Sequence, residues 1–190
     1  MRLMGKMELI ENSLIRQILN GATERYAELV RLHQNTVFTM IVRIVGRSEE
    51  AEELTQDVFL KAYSNLHTFK QRSSFSTWLY RIAYNEAISQ TRGRKITQLQ
   101  LDESRLASIS DEELEIFEQG EGREDQIERL IKAIEALPSE ERALITMVYY
   151  NEISLQRCAE ITDQSLSSVK VRLHRIRKKL YLMIKSENNG

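Results

Sequence analysis

Residues 166–184 combine one apolar stripe with a cationic surface. Val169, Leu173, Ile176 and Leu180 recur at i, i+4, i+7 and i+11, which places them on one side of a helix. The rest of the circumference carries the basic side chains Lys170, Arg172, His174, Arg175, Arg177, Lys178 and Lys179. Cations arranged in this way neutralise phosphates, and such a helix suits the major groove of DNA. The segment therefore predicts DNA binding.

A shorter helical pattern at 154–161 and a polar turn at 162–165 precede this helix, which is helix-turn-helix spacing. Ser165 or Ser167 is the expected cap of the second helix, and Asp163 tolerates the left-handed backbone of a turn. Because the first turns of a recognition helix face the bases, we expect base readers at Ser167, Ser168, Lys170, Val171 and His174. Phosphate contacts are expected from Arg172, Arg175 and Arg177.

A second candidate surface lies on an acidic helix that should follow Gly46, the expected end of the preceding helix. Ser48 is the expected N-cap, and Leu54 begins an apolar stripe that continues through Val58, Ala62 and Leu66. The face opposite this stripe carries Glu49, Glu53, Gln56 and Asp57. Such a face is either a solvated helix surface or a docking surface for another protein.

The polar segment after this helix is a candidate contact for single-stranded DNA. It mixes cations, small hydroxyls and aromatic rings, a mixture that can hold and stack unpaired bases. Its candidates are Asn65, Lys70, Arg72, Ser73 and Ser74, whereas Phe69, Phe75 and Trp78 are better explained as core. A third helix, expected from Ser76 or Thr77, adds the candidates Tyr80, Arg81, Tyr84, Asn85 and Arg92. Arg94 and Lys95 extend a basic cluster that suits phosphate contacts.

Composition predicts an all-α protein with two small helical domains. Pro138 is the single proline, and helical periodicity recurs along the 190 residues, whereas strand-like alternation is rare. The expected domains are 14–95 and 125–185, joined by an acidic linker at 96–124 that is extended by its own charge and holds at most one short helix. Two domains on a tether suggest a protein that grips its target at two separated points.

Several functional classes find no support in the sequence. The net charge is −1, no apolar run approaches the length of a membrane span, and residues 1–7 lack the apolar core of a signal peptide. Cys158 is the sole cysteine and reads as a core residue, so a cytoplasmic protein without a disulfide is expected. Neither a glycine-rich phosphate loop nor ligand-spaced histidines occur, so we expect no catalytic residue, no metal and no cofactor.

Four strings in order resemble the extracytoplasmic-function (ECF) group of bacterial sigma factors, in the sigma-70 family. They are residues 50–59, 75–83, 136–138 and 169–175, and the resemblance covers roughly 14–95 and 125–184. It implies a region 2-like bundle and a region 4-like helix-turn-helix, in a subunit that joins core RNA polymerase, recognises promoters and helps to melt DNA. Gln71 and Asp163 depart from the family pattern, which usually has glycine at both positions.

The resemblance also assigns roles to the candidate residues. Glu49, Glu53, Gln56 and Asp57 would dock the polymerase β′ subunit, with Leu54 and Phe59 as apolar anchors. The segment from Asn65 and the third helix would bind the minus-ten element, and the C-terminal helix the minus-35 element. Expected partners are core RNA polymerase (β′ and β), promoter DNA and an anti-sigma factor, often one tied to a membrane sensor. The linker is either a solvating tether or a segment that threads toward the RNA-exit path.

A rival hypothesis explains the C-terminal helix equally well. A helix-turn-helix regulator that binds operator DNA as a dimer needs the same basic helix and turn. It does not account for the strings at 50–59 and 75–83. Dimerisation and palindromic sites would favour it, whereas transcription starts that require this chain would favour the sigma factor.

Overall fold

The computed structural model describes residues 2–92, 103–119 and 124–187, and all regular structure in these ranges is helical. This confirms the all-α prediction. The helices are α1 (Arg2–Leu19), α2 (Tyr26–Val45), α3 (Ser48–Ser64), α4 (Phe75–Thr91), α5 (Glu103–Ser108), α6 (Asp111–Gln119), α7 (Glu124–Glu135), α8 (Ser139–Ile145), α9 (Leu155–Thr162) and α10 (Leu166–Glu187). Short 3₁₀ turns occupy Thr23–Arg25 and Leu66–Thr68, and a π turn, Thr146–Tyr150, extends α8.

The helix ends follow local rules that the sequence already shows. Gly46 ends α2 in the left-handed conformation (φ 80°), and its N–H donates to the Val42 carbonyl at 2.8 Å. Ser74 caps α4, because its hydroxyl accepts the Thr77 N–H at 3.2 Å. Ser48 differs from the prediction: it is the first residue of α3, and the cap position belongs to Arg47, which makes no side-chain capping bond.

The N-terminal bundle is built from α2, α3 and α4, and α1 packs along it. We expected this domain to begin near residue 14, but α1 already begins at Arg2. A buried polar contact fastens α1 to the bundle: Glu11 Oε1 lies 2.9 Å from His33 Nε2 of α2. The other ring nitrogen of His33 lies 3.3 Å from the Tyr80 hydroxyl of α4. Side chains from three helices therefore meet at one buried histidine.

The two helical bodies share one continuous apolar core. α9 packs on α4, and α8 packs on α2, so that buried residues from both bodies form a single cluster. Cys158 of α9 is fully buried in this cluster, as predicted. Burial raises the pKa of its thiol from the ordinary 9.0 to about 12, because the charged thiolate loses its hydration.

The linker also differs from the extended tether that its charge predicts. Within 103–119 it forms α5 and α6, and both helices pack on α10. The reason is a small set of apolar residues, Leu106, Ile109 and Leu114, which are buried here. Apolar burial by these residues outweighs the self-repulsion of the surrounding carboxylates. Arg94 and Lys95 of the predicted basic cluster lie outside the described residues.

Candidate core-polymerase and promoter surfaces

The outer face of α3 presents the predicted acidic cluster to solvent. Glu49, Glu53, Gln56 and Asp57 are all exposed. The two predicted apolar anchors are placed differently. Phe59 lies in the core with 7% of its surface exposed, and Leu54 packs against the same core. Neither side chain can be an exposed anchor in this conformation, because both already stabilise the bundle.

The outer face of α3 also carries an exposed leucine that sequence reasoning missed. Leu60 is 66% exposed, and it stands three residues after Asp57 and seven after Glu53, which places it on the acidic face. Tyr63 continues this face and packs at a tilt against Tyr26, with 4.8 Å between ring centroids. The signal was present in the sequence, since Leu60 falls outside the stripe that begins at Leu54.

The connection between α3 and α4 separates its aromatic residues from its polar ones. Phe69 and Phe75 are buried, with ring centroids 5.7 Å apart, and Trp78 packs against both, which confirms them as core. Lys70 and Arg72 are exposed. Between them Gln71 adopts a left-handed backbone (φ 55°), which explains why glycine suits this position. The two cations thus project from a strained turn.

The remaining polar candidates of this connection lie at its two ends. Asn65 is exposed and donates to the Lys61 carbonyl at 2.8 Å. Ser73 is half-buried, and the Ser74 hydroxyl is engaged with the first turn of α4. Ser74 therefore has a structural role as a cap, and Asn65 presents its side chain at the surface.

On α4 the candidates fall into an exposed and a buried set. Arg81, Asn85 and Arg92 are exposed, whereas Tyr80 and Tyr84 are buried. Burial raises the pKa of both tyrosines, because the phenolate would be poorly hydrated there. The buried rings can reach DNA only if the elements packed over them move.

Part of the α4 surface is covered by α9. The Arg157 guanidinium donates to the Ser76 hydroxyl at 2.7 Å and to the Thr77 hydroxyl at 3.0 Å. Arg81 reaches in the other direction and donates from Nε to the Glu160 carbonyl at 3.0 Å. The first helix of the helix-turn-helix thus lies on a helix that was predicted to bind DNA, an arrangement that sequence reasoning did not anticipate.

The helix-turn-helix itself has the predicted local geometry. Asp163 is left-handed (φ 56°), and Ser165 caps α10, since its hydroxyl accepts the Ser168 N–H at 3.1 Å. The first turns of α10 are open, with the side chains of Ser167, Ser168, Lys170 and Val171 exposed.

The later candidates on α10 are more enclosed. Arg172 contacts Glu140 of α8 at 3.2 Å, and His174 Nε2 lies 3.4 Å from Asp111 Oδ1 of the linker. Arg175 is exposed and Arg177 is half-buried. The surface predicted for the minus-35 element is therefore continuous at the start of α10 and covered by acidic residues farther along.

The described part of the chain offers neither a metal site nor a membrane span. No cluster of three or more histidine, cysteine, aspartate or glutamate side chains there is arranged to hold a metal ion. No helix in these ranges is long and apolar enough to cross a bilayer.

Comparison with known proteins identifies both bodies. Residues 29–96 match the family model of Sigma-70 region 2, and residues 127–180 match that of Sigma-70 region 4. The chain is 32% identical to the ECF RNA polymerase sigma factor SigW of Bacillus subtilis (strain 168), over 92% of this chain and 96% of the relative. It is 28% identical to the ECF RNA polymerase sigma-E factor of Escherichia coli (strain K12), over 90% and 92%.

Solved structures show the same fold. CnrH in complex with the cytosolic domain of CnrY superposes with a TM-score of 0.65 at 21% identity, over 91% of this chain and 96% of that chain. The sigma factor RpoE in complex with the anti-sigma factor NepR from Bartonella quintana gives a TM-score of 0.60 at 21% identity, over 84% and 96%. By its two sigma-70 regions and its similarity to SigW, the chain belongs to the ECF group of RNA polymerase sigma factors and acts in transcription initiation.

Proposed function

We propose that this sigma factor joins core RNA polymerase through the outer face of α3. The observation that carries the proposal is the exposed Leu60 beside Glu53, Gln56 and Asp57 on a helix whose other face is fixed in the core. A desolvated apolar anchor inside a charged rim is the usual anatomy of a strong protein contact. The rim charges would set the encounter rate and orientation, and Leu60 would supply affinity.

We propose two DNA surfaces, in line with the two sigma-70 regions. Lys70 and Arg72, exposed on the turn before α4, would contact the melted minus-ten region. The open first turns of α10 would read the minus-35 element through Ser167, Lys170 and Val171. Because α9 covers Ser76 and Thr77 at the start of α4, use of that part of α4 by DNA requires the two bodies to separate.

We infer a role as specificity subunit, not as catalyst, exercised in the cytoplasm beside the polymerase. A dimeric helix-turn-helix regulator would leave the outer face of α3 without a purpose. We also propose an anti-sigma factor as a partner. The support is indirect: a solved structure with the same fold is a sigma factor in complex with the anti-sigma factor NepR.

Run-off transcription tests the proposal as a whole. Purified core RNA polymerase, fragmented genomic DNA and this chain should yield discrete transcript starts that are absent without the chain. Sequences shared upstream of these starts would define the two promoter elements. Binding of the chain to DNA as a dimer, without any effect on initiation, would contradict the proposal and favour the regulator.

The polymerase surface is tested by charge reversal with a matched control. Glu53→Lys with Asp57→Lys should weaken binding to core polymerase at least about tenfold, since close interface charge pairs are worth more than about 1.4 kcal/mol. Glu8→Lys with Glu135→Lys makes the same charge change at exposed positions of α1 and α7. Leu60→Ala should weaken binding without any charge change. Equal affinity of all variants would refute the assignment of this face.

A further inference from the structure

The linker helices α5 and α6 lie against α10, the helix that we propose to read DNA, and α6 is strongly acidic. Ile109 and Leu114 form a small apolar cluster with Tyr181 of α10, and Leu182 packs on its edge. Leu114 is only 2% exposed. This cluster is separate from the main core, so it holds the linker helices to α10 as an independent contact.

Polar contacts align the linker carboxylates with α10. Glu113 Oε1 accepts the Tyr181 hydroxyl at 3.3 Å, and Asp111 Oδ1 lies 3.4 Å from His174 Nε2. Ser110 and Glu113 cap the start of α6 reciprocally, since each side chain accepts the backbone N–H of the other. The backbone N–H of Ser110, followed by the Tyr181 hydroxyl, lowers the pKa of Glu113. The carboxylate therefore stays ionised beside the basic helix.

The covered residues and the proposed base readers share one face of α10. Positions 167, 171, 174, 178, 181 and 185 follow one another at intervals of four and three, which is one helical face. At its beginning this face is open, and Val171 is 68% exposed. From His174 onward it is occupied by α6. A duplex placed on the open half would meet the start of α6 directly beside it.

The start of α6 is unfavourable to a duplex in charge as well as in volume. Residues 111–115 contain four carboxylates and no cation. Carboxylates near phosphates repel them, and Asp111 lies 3.4 Å from His174, on the side from which a base would approach that ring.

We propose that α5 and α6 act as an internal competitor for DNA, which holds region 4 in a low-affinity state until the linker leaves α10. The proposal rests on the proposed role of α10 as the minus-35 reader. If the linker occupies the binding face, the apparent DNA affinity is the intrinsic affinity multiplied by the fraction of molecules in which α10 is free. When the linker leaves α10, the DNA-binding face becomes free, so that release of the linker and DNA binding are coupled.

The test is fluorescence anisotropy of a labelled mixed-sequence duplex with the full-length chain at low salt. Leu114→Ser removes the apolar contact without a change in net charge, and Asp111→Asn with Glu113→Gln removes the polar contacts. We expect each to tighten DNA binding about tenfold, within the usual range of coupling between two sites. Hydrogen exchange of 103–119 should rise in both variants, which reports release of the linker.

Glu112→Gln with Glu115→Gln is the matched control, because it removes the same two charges from exposed positions of the same helix. DNA affinity could rise equally in the control and in the Asp111 and Glu113 variant but stay unchanged in Leu114→Ser. That result would indicate an effect of bulk charge and would overturn the proposal. Unchanged affinity in all variants would overturn it too. If neither wild type nor any variant binds the duplex, the DNA-binding role of α10 itself is wrong.

Discussion

Arg157 is the side chain whose removal should most directly loosen the packing between the two bodies. It belongs to α9, and its guanidinium donates to the hydroxyls of Ser76 and Thr77 on α4, at 2.7 and 3.0 Å. Arg157→Ala removes both bonds and leaves the apolar contacts between α9 and α4 in place. The prediction is therefore a partial shift toward an open chain, without unfolding of either body.

The expected magnitude follows from these two bonds. A hydrogen bond that involves a charged group contributes about 1.5–3 kcal/mol when well formed. Two conditions lower the sum: Arg157 is only half-buried, and both hydroxyls keep Ser74 as a partner, at 3.1 and 2.9 Å. A loss of about 2 kcal/mol in total is expected, which would reduce the ratio of closed to open molecules about 30-fold.

The assay is energy transfer between dyes on Glu52→Cys of α3 and Lys170→Cys of α10, two exposed positions on different bodies. Cys158 should not react, since burial raises its pKa to about 12. Because a strongly closed wild type could hide the shift, the measurement is repeated at increasing urea below the unfolding transition. Arg157→Ala should lose energy transfer at a lower urea concentration than the wild-type chain does.

Two further variants test whether the hydrogen bonds of Arg157 hold the two bodies together. Gln156→Ala changes an exposed neighbour on the same helix and should behave as wild type. Arg157→Lys keeps the charge but loses the fork of donors, and it should lie between wild type and alanine. If Arg157→Ala and Gln156→Ala lose energy transfer at the same urea concentration, the two hydrogen bonds do not hold the bodies together.

Three further predictions concern stability. Glu11→Ala should lower the free energy of unfolding by roughly 1–3 kcal/mol in urea titrations, because it leaves the buried His33 Nε2 without a polar neighbour. The exposed control Glu8→Ala should change it little, and equal effects would show that the pair is unimportant. Gln71→Gly should raise the free energy of unfolding by about 0.5 kcal/mol. Glycine adopts a φ of 55° without strain, and this gain exceeds the larger chain entropy that glycine loses on folding. A lower free energy of unfolding would refute this prediction. The thiol of Cys158 has a folded-state pKa above its unfolded value, so its contribution to the free energy of unfolding is complete below pH 9 and should be lost as pH rises from 9 toward about 12. The free energy of unfolding of Cys158→Ala should therefore decline less than that of wild type over that range, and an identical decline would refute this prediction.

Much of the local structure could be predicted from the sequence, because it depends on near neighbours. Gly46 and Asp163 adopt the left-handed conformation because of their own backbone preferences, and Ser165 caps α10 with its own hydroxyl. The stripe that begins at Val169 is buried because its spacing matches one helical turn. The side chains of the polymerase and DNA candidates are also exposed, except where another helix covers their face.

What depends on distant residues could not be read from spacing. Phe59 was expected at a surface and lies in the core, because the packing of α2 and α4 against α3 decides which apolar residues are enclosed. The same holds for Tyr80, which is buried through its contact with His33, 47 positions earlier in the chain. A helical pattern shows which residues share a face, but not which face meets another helix.

The sequence by itself determined most of the helices, the caps at Gly46 and Ser165, the two regions and the family, since each depends on residues a few positions apart or on an ordered set of strings. Only the tertiary structure decided that α9 covers α4 and that α6 covers the later half of α10. These contacts join residues about 80 and 60 positions apart, Arg157 to Thr77 and His174 to Asp111. Their free energy depends on three-dimensional complementarity of charge and shape, which no periodicity along the chain expresses.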